Sequence, residues 1–437
     1  MHSSTHEAIS AVWRIESAKI VAAVARMVRE IGLAEELAQD ALVSALESWP
    51  GKGVPDNPGA WLMRVAKNRA LDHLRHQKMQ GEKLEQIGHE LEAQEALVVP
   101  DFVDALDEAR QDEIGDDLLR LIFTACHPVL STEARLALTL KLLGGLSTHE
   151  IARAFLVPEP TMAPRIVRAK RTLAEARVPF EVPRGDELGA RLASVLEVVY
   201  LLFNEGYTAT TGDHWMRPAL TDEALRLGRM LAGLARDESE VQGLLALMEL
   251  QASRMAARVD AAGRPVLLTD QDRARWDHLL IRRGLAALDR AQALAGSSVH
   301  VLGPYALQAA IAACHARATT AAQTDWAGIA ALYDALAQTA PSPVVELNRA
   351  VAVSMAFGPA AGLAIIDTLR EDKYLQNYQW LPGVRGDLLA KLGRHAEARA
   401  DFERAASLAG NVRERELLLE RAREQEQEQE QDDTAPR

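Results

Sequence analysis

The 437 residues, 48% hydrophobic and 25% charged, have the balance of ordinary globular domains, about three by length, and not of a fibrous or wholly disordered chain. The only two cysteines, Cys126 and Cys314, exclude a disulfide framework and a cysteine-built metal cluster, and they fit a reducing, cytoplasmic setting. A net charge of -13 at pH 7, taken as a single figure, argues against a nucleic-acid partner.

The distribution of that charge reverses the inference. Between Glu82 and Asp117 stand 13 acidic residues against two basic ones, Lys83 and Arg110, so nearly all the excess is local. Basic helical patterns flank it, with Arg64, Lys67, Arg69, Arg75 and Lys78 before and Arg165, Arg168, Lys170 and Arg171 after. The order is basic module, acidic linker, basic module. At the start, Met1 to Ala11 lacks the basic stretch and apolar core of a secretory signal. The uncharged run from Ala291 to Ala316 is broken by Gly296, His300 and Gly303-Pro304, so no membrane partner is expected.

From Ile15 to Leu74 apolar residues recur every three or four positions, in two stretches parted by the Pro/Gly-rich loop from Pro50 to Pro58. That spacing predicts a small helical domain over 1–80. The segment 81–115 reads as an acidic linker, either a plain solvated tether or an electrostatic element that screens the basic helices. The next segment, 116–180, holds Ser147-Thr-His-Glu150, a capping box whose hydroxyl and carboxylate satisfy free amides at a helix start.

Ile151, Ala152 and Phe155 form a buried face there, Val157-Pro158 makes a turn, and a second helix runs from about Thr161. Its apolar stripe is Met162, Ile166, Ala169 and Leu173, and its outer face is basic, which makes the pair a helix-turn-helix. Pro164 then falls in the first turn, where the amides have no intrahelical partner and proline is tolerated.

Beyond Pro179 an alanine-rich helical pattern runs over 181–423. Similar segments begin at Asp325, Pro359 and Arg394, spaced by 34 and 35 residues, and in the last copy Gly393, Ala398, Phe402 and Ala405 fall where a tetratricopeptide-like repeat places them. The tail, 424–437, alternates Glu and Gln and is expected to be disordered. No stretch alternates with the period of a strand, so the fold class is all-α: two small helical domains, a linker and a repeat extension.

Motifs for catalysis are absent. There is no phosphate-binding glycine loop, Gly-x-Ser-x-Gly or His-Glu-x-x-His, and Cys126-His127 has no partner cluster and is stopped by Pro128. Glu205, Asp213 and His214, beside Tyr207 and Trp215, read as a structured connector, and Thr269 to Asp272 as a helix cap. No enzyme, cofactor or metal site is predicted.

Ala34-Glu-Glu-Leu-Ala-Gln-Asp-Ala-Leu-Val-Ser-Ala-Leu-Glu-Ser-Trp49, followed by Ala60-Trp-Leu-Met-Arg-Val-Ala-Lys-Asn-Arg-Ala-Leu-Asp-His-Leu-Arg75, resembles the extracytoplasmic-function (ECF) subfamily of sigma-70-type RNA polymerase sigma factors. Phe123 to Pro128, Tyr200 to Tyr207, Gly243 to Met248, Gln271 to Trp276, Thr324 to Trp326 and Pro343 to Val351 extend the resemblance to a subgroup with a long tetratricopeptide-type extension. It covers roughly residues 10 to 420. The resemblance implies a sigma factor that binds core RNA polymerase and promoter DNA, initiates promoter-specific transcription, and carries its regulatory part in the extension.

By that resemblance Glu35, Glu36, Gln39, Asp40, Ser44 and Glu47 face the polymerase clamp, and Trp61, Arg64, Lys67, Asn68, Arg69, Asp72 and Arg75 face the minus-ten element. The loop has no aromatic to stack on an extruded base, so Lys52, Asp56 and Asn57 would read one by hydrogen bonds. Thr161, Ala163, Arg165, Arg168, Lys170 and Arg171 face the minus-thirty-five element, with Ala163 suited to a thymine methyl and the arginines to phosphate or guanine. The rivals are a helix-turn-helix regulator that never recruits polymerase and a repeat scaffold for a protein or peptide ligand.

Overall fold

A computed structural model describes residues 2–85, 117–155, 157–208, 216–260, 264–296, 302–410 and 412–434. Most of the acidic linker, together with Asp213, His214 and Trp215, lies outside the described residues. Among the described residues the secondary structure is helical, with no strand beyond one bridge between Val259 and Pro265. The chain falls into two compact units, Met1–Val198 and Val199–Arg437.

The first unit opens with a three-helix module: α1 (His2–Val28), α2 (Ile31–Lys52) and α3 (Pro58–Glu85), each packed on the other two. Alanines at Ala34, Ala38, Ala41 and Ala45 bring α2 close to its neighbours, while Ile20, Val24, Leu62 and Trp49 fill the centre. Trp49 and Trp61 meet edge to face with ring centroids 5.4 Å apart, fixing the start of α3 against the end of α2. Gly53, at φ 84°, ends α2, and Asn57 Oδ1 accepts the Ala60 amide at 3.0 Å to begin α3.

A four-helix module follows: α4 over 117–125, α5 (Thr132–Leu142), α6 (Thr148–Ala154) and α7 (Glu159–Glu175). The capping box forms, with the Glu150 amide donating to Ser147 Oγ at 3.1 Å and the Ser147 amide to Glu150 Oε2 at 2.8 Å. Met162, Ile166, Ala169 and Leu173 are the buried stripe of α7. The helix starts at Glu159 with Pro158 as its N-cap, two residues earlier than the sequence suggests, so Pro164 sits in the second turn. The carbonyl of Pro160 therefore loses its helical partner, on a face open to water.

α8 (Asp186–Tyr207) begins by packing on this module: buried Arg135 donates to Ser194 Oγ at 2.6 Å and Glu197 Oε2 at 2.9 Å, and Arg191 to the Phe123 carbonyl at 3.0 Å.

The second unit is a run of helices: α9 (Pro218–Leu234), α10 (Ser239–Ala252), α11 (His278–Gly296), α12 (Pro304–Arg317), α13 (Trp326–Thr339), α14 (Pro343–Phe357), α15 (Pro359–Thr368), α16 (Trp380–Lys391), α17 (His395–Leu408) and α18 (Val412–Thr434). From α11 onward each helix packs on the next in chain order, the pattern of a solenoid. The three similar segments open α13, α15 and α17. Gly362 lets α15 approach α14, where a Cβ would meet Ser354 Cβ at 2.5 Å, and Phe402 fills the space between α16 and α17.

The tail corrects the sequence reading. α18 continues to Thr434, because His395 and Arg399 on α17 hold Gln425 and Glu426 at 2.9 and 2.6 Å. A Glu/Gln-rich segment expected to fray is tied down by partners that only the fold supplies.

Candidate nucleic-acid and polymerase interface

The outer face of α2 carries Glu36, Asp40, Val43, Leu46 and Glu47, all exposed, with Val43 49% accessible. Spacings of four, three and four along 36, 40, 43 and 47 put acid and an apolar residue on one stripe. Ser44 is half-buried; its hydroxyl bonds the Asp40 carbonyl at 2.9 Å.

Glu35 departs from the expectation of a surface contact: it is 4% exposed. Its carboxylate accepts from Lys170 Nζ at 2.7 Å and from Gln39 Nε2 at 2.6 Å, and lies 3.6 Å from Lys141 Nζ. A buried carboxylate needs such partners, and here two lysines of the four-helix module supply them. Gln39 is thereby turned toward the module joint as well.

On α3, Arg64, Asn68, Arg69, Asp72, Arg75 and Lys78 are exposed, Lys67 and Trp61 are half-buried, and Leu62, Ala66 and Ala70 face the core. The row from Arg64 through Lys67, Asn68 and Arg75 to Lys78 occupies one side of the helix, a geometry suited to phosphates. Arg69 leaves that row and crosses to α2, 3.2 Å from Asp40 Oδ2 and 3.0 Å from Ser44 Oγ. It closes one wall of a cleft of about 450 Å³ lined also by Leu37, Asp72, His73 and His76. Arg75 pairs with Asp72 at 3.4 Å. Lys52, the last residue of α2 and not part of the loop as expected, is exposed like Asp56 and Asn57 in the loop after it, and Asn57 spends its side-chain oxygen on the cap of α3.

On α7, Thr161 and Arg168 point outward and Ala163 and Arg165 are half-buried. Arg165, Arg168 and Thr172 face Ser131 and Ala134, at the start of α5, across a groove of about 240 Å³. Arg171 is exposed and holds Glu175 at 2.6 Å. Lys170 is turned away from that face to Glu35.

The two modules are fastened at further points that the sequence did not disclose. Arg14 on α1 meets Glu150 at 2.7 Å, and Arg26 lies 3.4 Å from the buried Asp117. Gly145 has φ 63°, and a Cβ there would sit 2.6 Å from Ser17 Oγ, so the loop between α5 and α6 lies directly on α1. The charges of these residues were legible; their pairing was not.

Two histidine and cysteine positions are structural. Cys126 is buried, its sulfur 3.4 Å from Thr139 Oγ1, and burial pushes its thiol up to about 11. His127 Nδ1 accepts the Val129 amide at 3.1 Å in the turn before α5. Asp272 caps a short helical turn through the Ala274 amide at 3.0 Å. Among the described residues no cluster of three or more His, Cys, Asp or Glu could hold a metal, and no helix is long and apolar enough to cross a membrane.

Residues 15–79 match sigma-70 region 2, residues 120–173 match sigma-70 region 4, and residues 191–292 match a family of unknown function (DUF6596). The chain is 45% identical to uncharacterized protein R00370 of Rhizobium meliloti (strain 1021) over 393 residues, 90% of each chain. It is 29% identical over 181 residues to the probable ECF RNA polymerase sigma factor SigI of Mycobacterium tuberculosis, a stretch that spans 41% of this chain and 59% of that protein. The first match coincides with the three-helix module and the second with the helix-turn-helix module, in the order of the sequence. The chain thus carries segments that match sigma-70 regions 2 and 4, in that order, followed by the DUF6596 segment.

Proposed function

We propose that the chain is an ECF-type sigma factor that binds core RNA polymerase, directs it to a set of promoters and is governed by its own helical extension. The observation that carries this reading is the pair of solvent-reaching basic faces, Arg64 to Lys78 on α3 and half-buried Arg165 with exposed Arg168 and Arg171 on α7, on the modules that match sigma-70 regions 2 and 4. The stripe of Glu36, Asp40, Val43 and Glu47 meets the polymerase clamp. The α3 row and the loop at Lys52 and Asp56 meet the minus-ten element. Arg165, Arg168 and Arg171, with Thr161 and Ala163, meet the minus-thirty-five element. Lys170 joins them only when it leaves Glu35, so engagement of both elements includes separation of the two modules. The protein does no chemistry of its own: polymerase supplies catalysis, and these faces supply position. The helical solenoid of the second unit takes the place of a separate inhibitor, with a protein or peptide as its ligand.

In vitro transcription with purified core polymerase on the promoter upstream of the chain's own gene tests this reading, comparing the full chain with residues 1–198, the first compact unit. Promoter-dependent transcripts from either form support it, and the ratio between the forms measures the restraint exerted by the extension. No transcripts and no binding to core polymerase from either form would remove it.

A further inference from the structure

The second unit gathers four basic side chains, and beside them several buried hydrogen-bonding nitrogens have no partner among the described residues. Arg254 follows the end of α10, Arg258 follows the short helical turn Met255–Ala257, Arg273 opens the turn Arg273–Arg275, and His315 lies in the last turn of α12. The charge of Arg254 reaches Arg258, Arg273 and His315. Arg258 is accommodated: its guanidinium lies 3.5 Å over the Tyr207 ring, bonds Thr208 Oγ1 at 2.8 Å and senses Glu414.

Arg273 has oxygen partners but no carboxylate. It donates to the carbonyl of Ala318 at 2.7 Å and to Thr324 Oγ1 at 3.1 Å, and it lies 4.7 Å from the Trp276 ring centroid. Its Nε and that of Arg254 are buried without an acceptor. So is the indole nitrogen of Trp276, a residue 4% exposed, while Nδ1 of His315, 7% exposed, has no hydrogen-bond partner. His315 packs edge to face on Trp326 at 5.1 Å; burial, with the charges of Arg254 and Arg273, pushes its imidazole down to about 4.

Buried donors are normally satisfied, and two half-buried guanidinium groups that repel each other with no carboxylate bonded to either favour a counterion. Two guanidinium N–H groups and an indole N–H can only donate, so the missing partner is an acceptor, and the uncompensated charge makes it an anion. Trp276 and Trp326 provide apolar walls beside it. We propose that Arg254, Arg273 and Trp276, with His315 alongside, form a binding site for the oxyanion group of a small ligand, a carboxylate or a phosphate. The site lies wholly within the second unit and stands independently of the transcriptional role.

Thermal unfolding and calorimetric titration of the full chain test it, with sodium phosphate, sodium malonate or sodium chloride at equal ionic strength. A saturable rise of the unfolding midpoint with phosphate, malonate or both, absent in chloride, is expected, and the arm that responds identifies the phosphoryl or carboxylate source. Arg254→Met weakens that binding by about tenfold or more. Its side chain makes no hydrogen bond or ion pair among the described residues, so the variant keeps its midpoint in chloride. Trp276→Phe, which keeps the ring and removes only the N–H, gives the second measurement and also weakens binding. Equal responses in all three salts, or unchanged affinity in both variants, would overturn the proposal.

Discussion

Lys170 on α7 donates to the buried carboxylate of Glu35 on α2 at 2.7 Å, across 135 residues of sequence. One pair thus fastens α7 of one module to α2 of the other. With Lys141 at 3.6 Å, Glu35 serves two lysines whose side chains are only 17% and 19% exposed. Removing the acid leaves both charges half-buried without a counterion. Glu35→Ala is therefore expected to lower the unfolding free energy by about 2–3 kcal/mol. Urea denaturation of the 1–198 unit measures it, and a change under about 0.5 kcal/mol, typical of an exposed pair, would refute the buried-anchor assignment.

Gly145 is the second fastening point. Its φ of 63° and the 2.6 Å approach of Ser17 Oγ to a would-be Cβ act separately. Gly145→Ala should cost about 1–2 kcal/mol from backbone conformation, with a steric cost added. Combining it with Ser17→Ala should recover the steric part alone. A double variant as unstable as the single one would show that Ser17 is not the obstacle.

Arg168 is exposed at the groove between α5 and α7, and its expected role is a phosphate contact. Arg168→Ala should weaken promoter binding by the polymerase complex about equally across promoter sequences, and flatten the slope of log affinity against log salt by about 1. Gel-shift titrations at several salt concentrations give the slope. Loss confined to certain base pairs, with an unchanged slope, would assign Arg168 to base reading instead.

His315 makes the stability of the second unit depend on pH. Its folded pKa of about 4 lies below the ordinary 6.5, so between these values the unfolded chain takes up a proton that the folded chain refuses. Its contribution is fully present above pH 6.5 and is lost as pH falls toward 4, roughly 3 kcal/mol in all. The difference in unfolding free energy between the protein and His315→Asn, followed from pH 7.5 to 4.5, isolates this contribution from the carboxylates. Parallel curves would show that His315 titrates normally.

Burial that raises the Cys126 thiol to about 11 leaves only about one part in a thousand ionised at pH 8. Iodoacetamide should leave Cys126 unmodified in the folded chain and label it on unfolding, as peptide mass mapping would show. Rapid native labelling would mean that the end of α4 opens.

Features under short-range control were legible before the fold was known. The capping box at Ser147 and Glu150, the stripe from Met162 to Leu173 and the break in the loop around Gly53 each depend on residues close in sequence, so spacing alone exposes them. The start of α7 was misjudged by two residues because prolines at 158 and 160 can each open a helix, and the choice depends on packing. The motifs of the two modules were equally legible, because each occupies one continuous stretch.

The fate of the charges was set by packing between distant segments. Glu35, Lys170 and Arg69 look in sequence like surface residues of amphipathic helices. The first two become a buried cross-module pair, and the third a tie from α3 to α2. Gln425 is buried and the tail helical because α17 presents His395 and Arg399, and the His315 pKa is pushed down because the fold buries it, with the charges of Arg254 and Arg273 adding to the effect. A charged side chain pairs with whatever the fold brings within about 4 Å, and sequence distance does not report that separation.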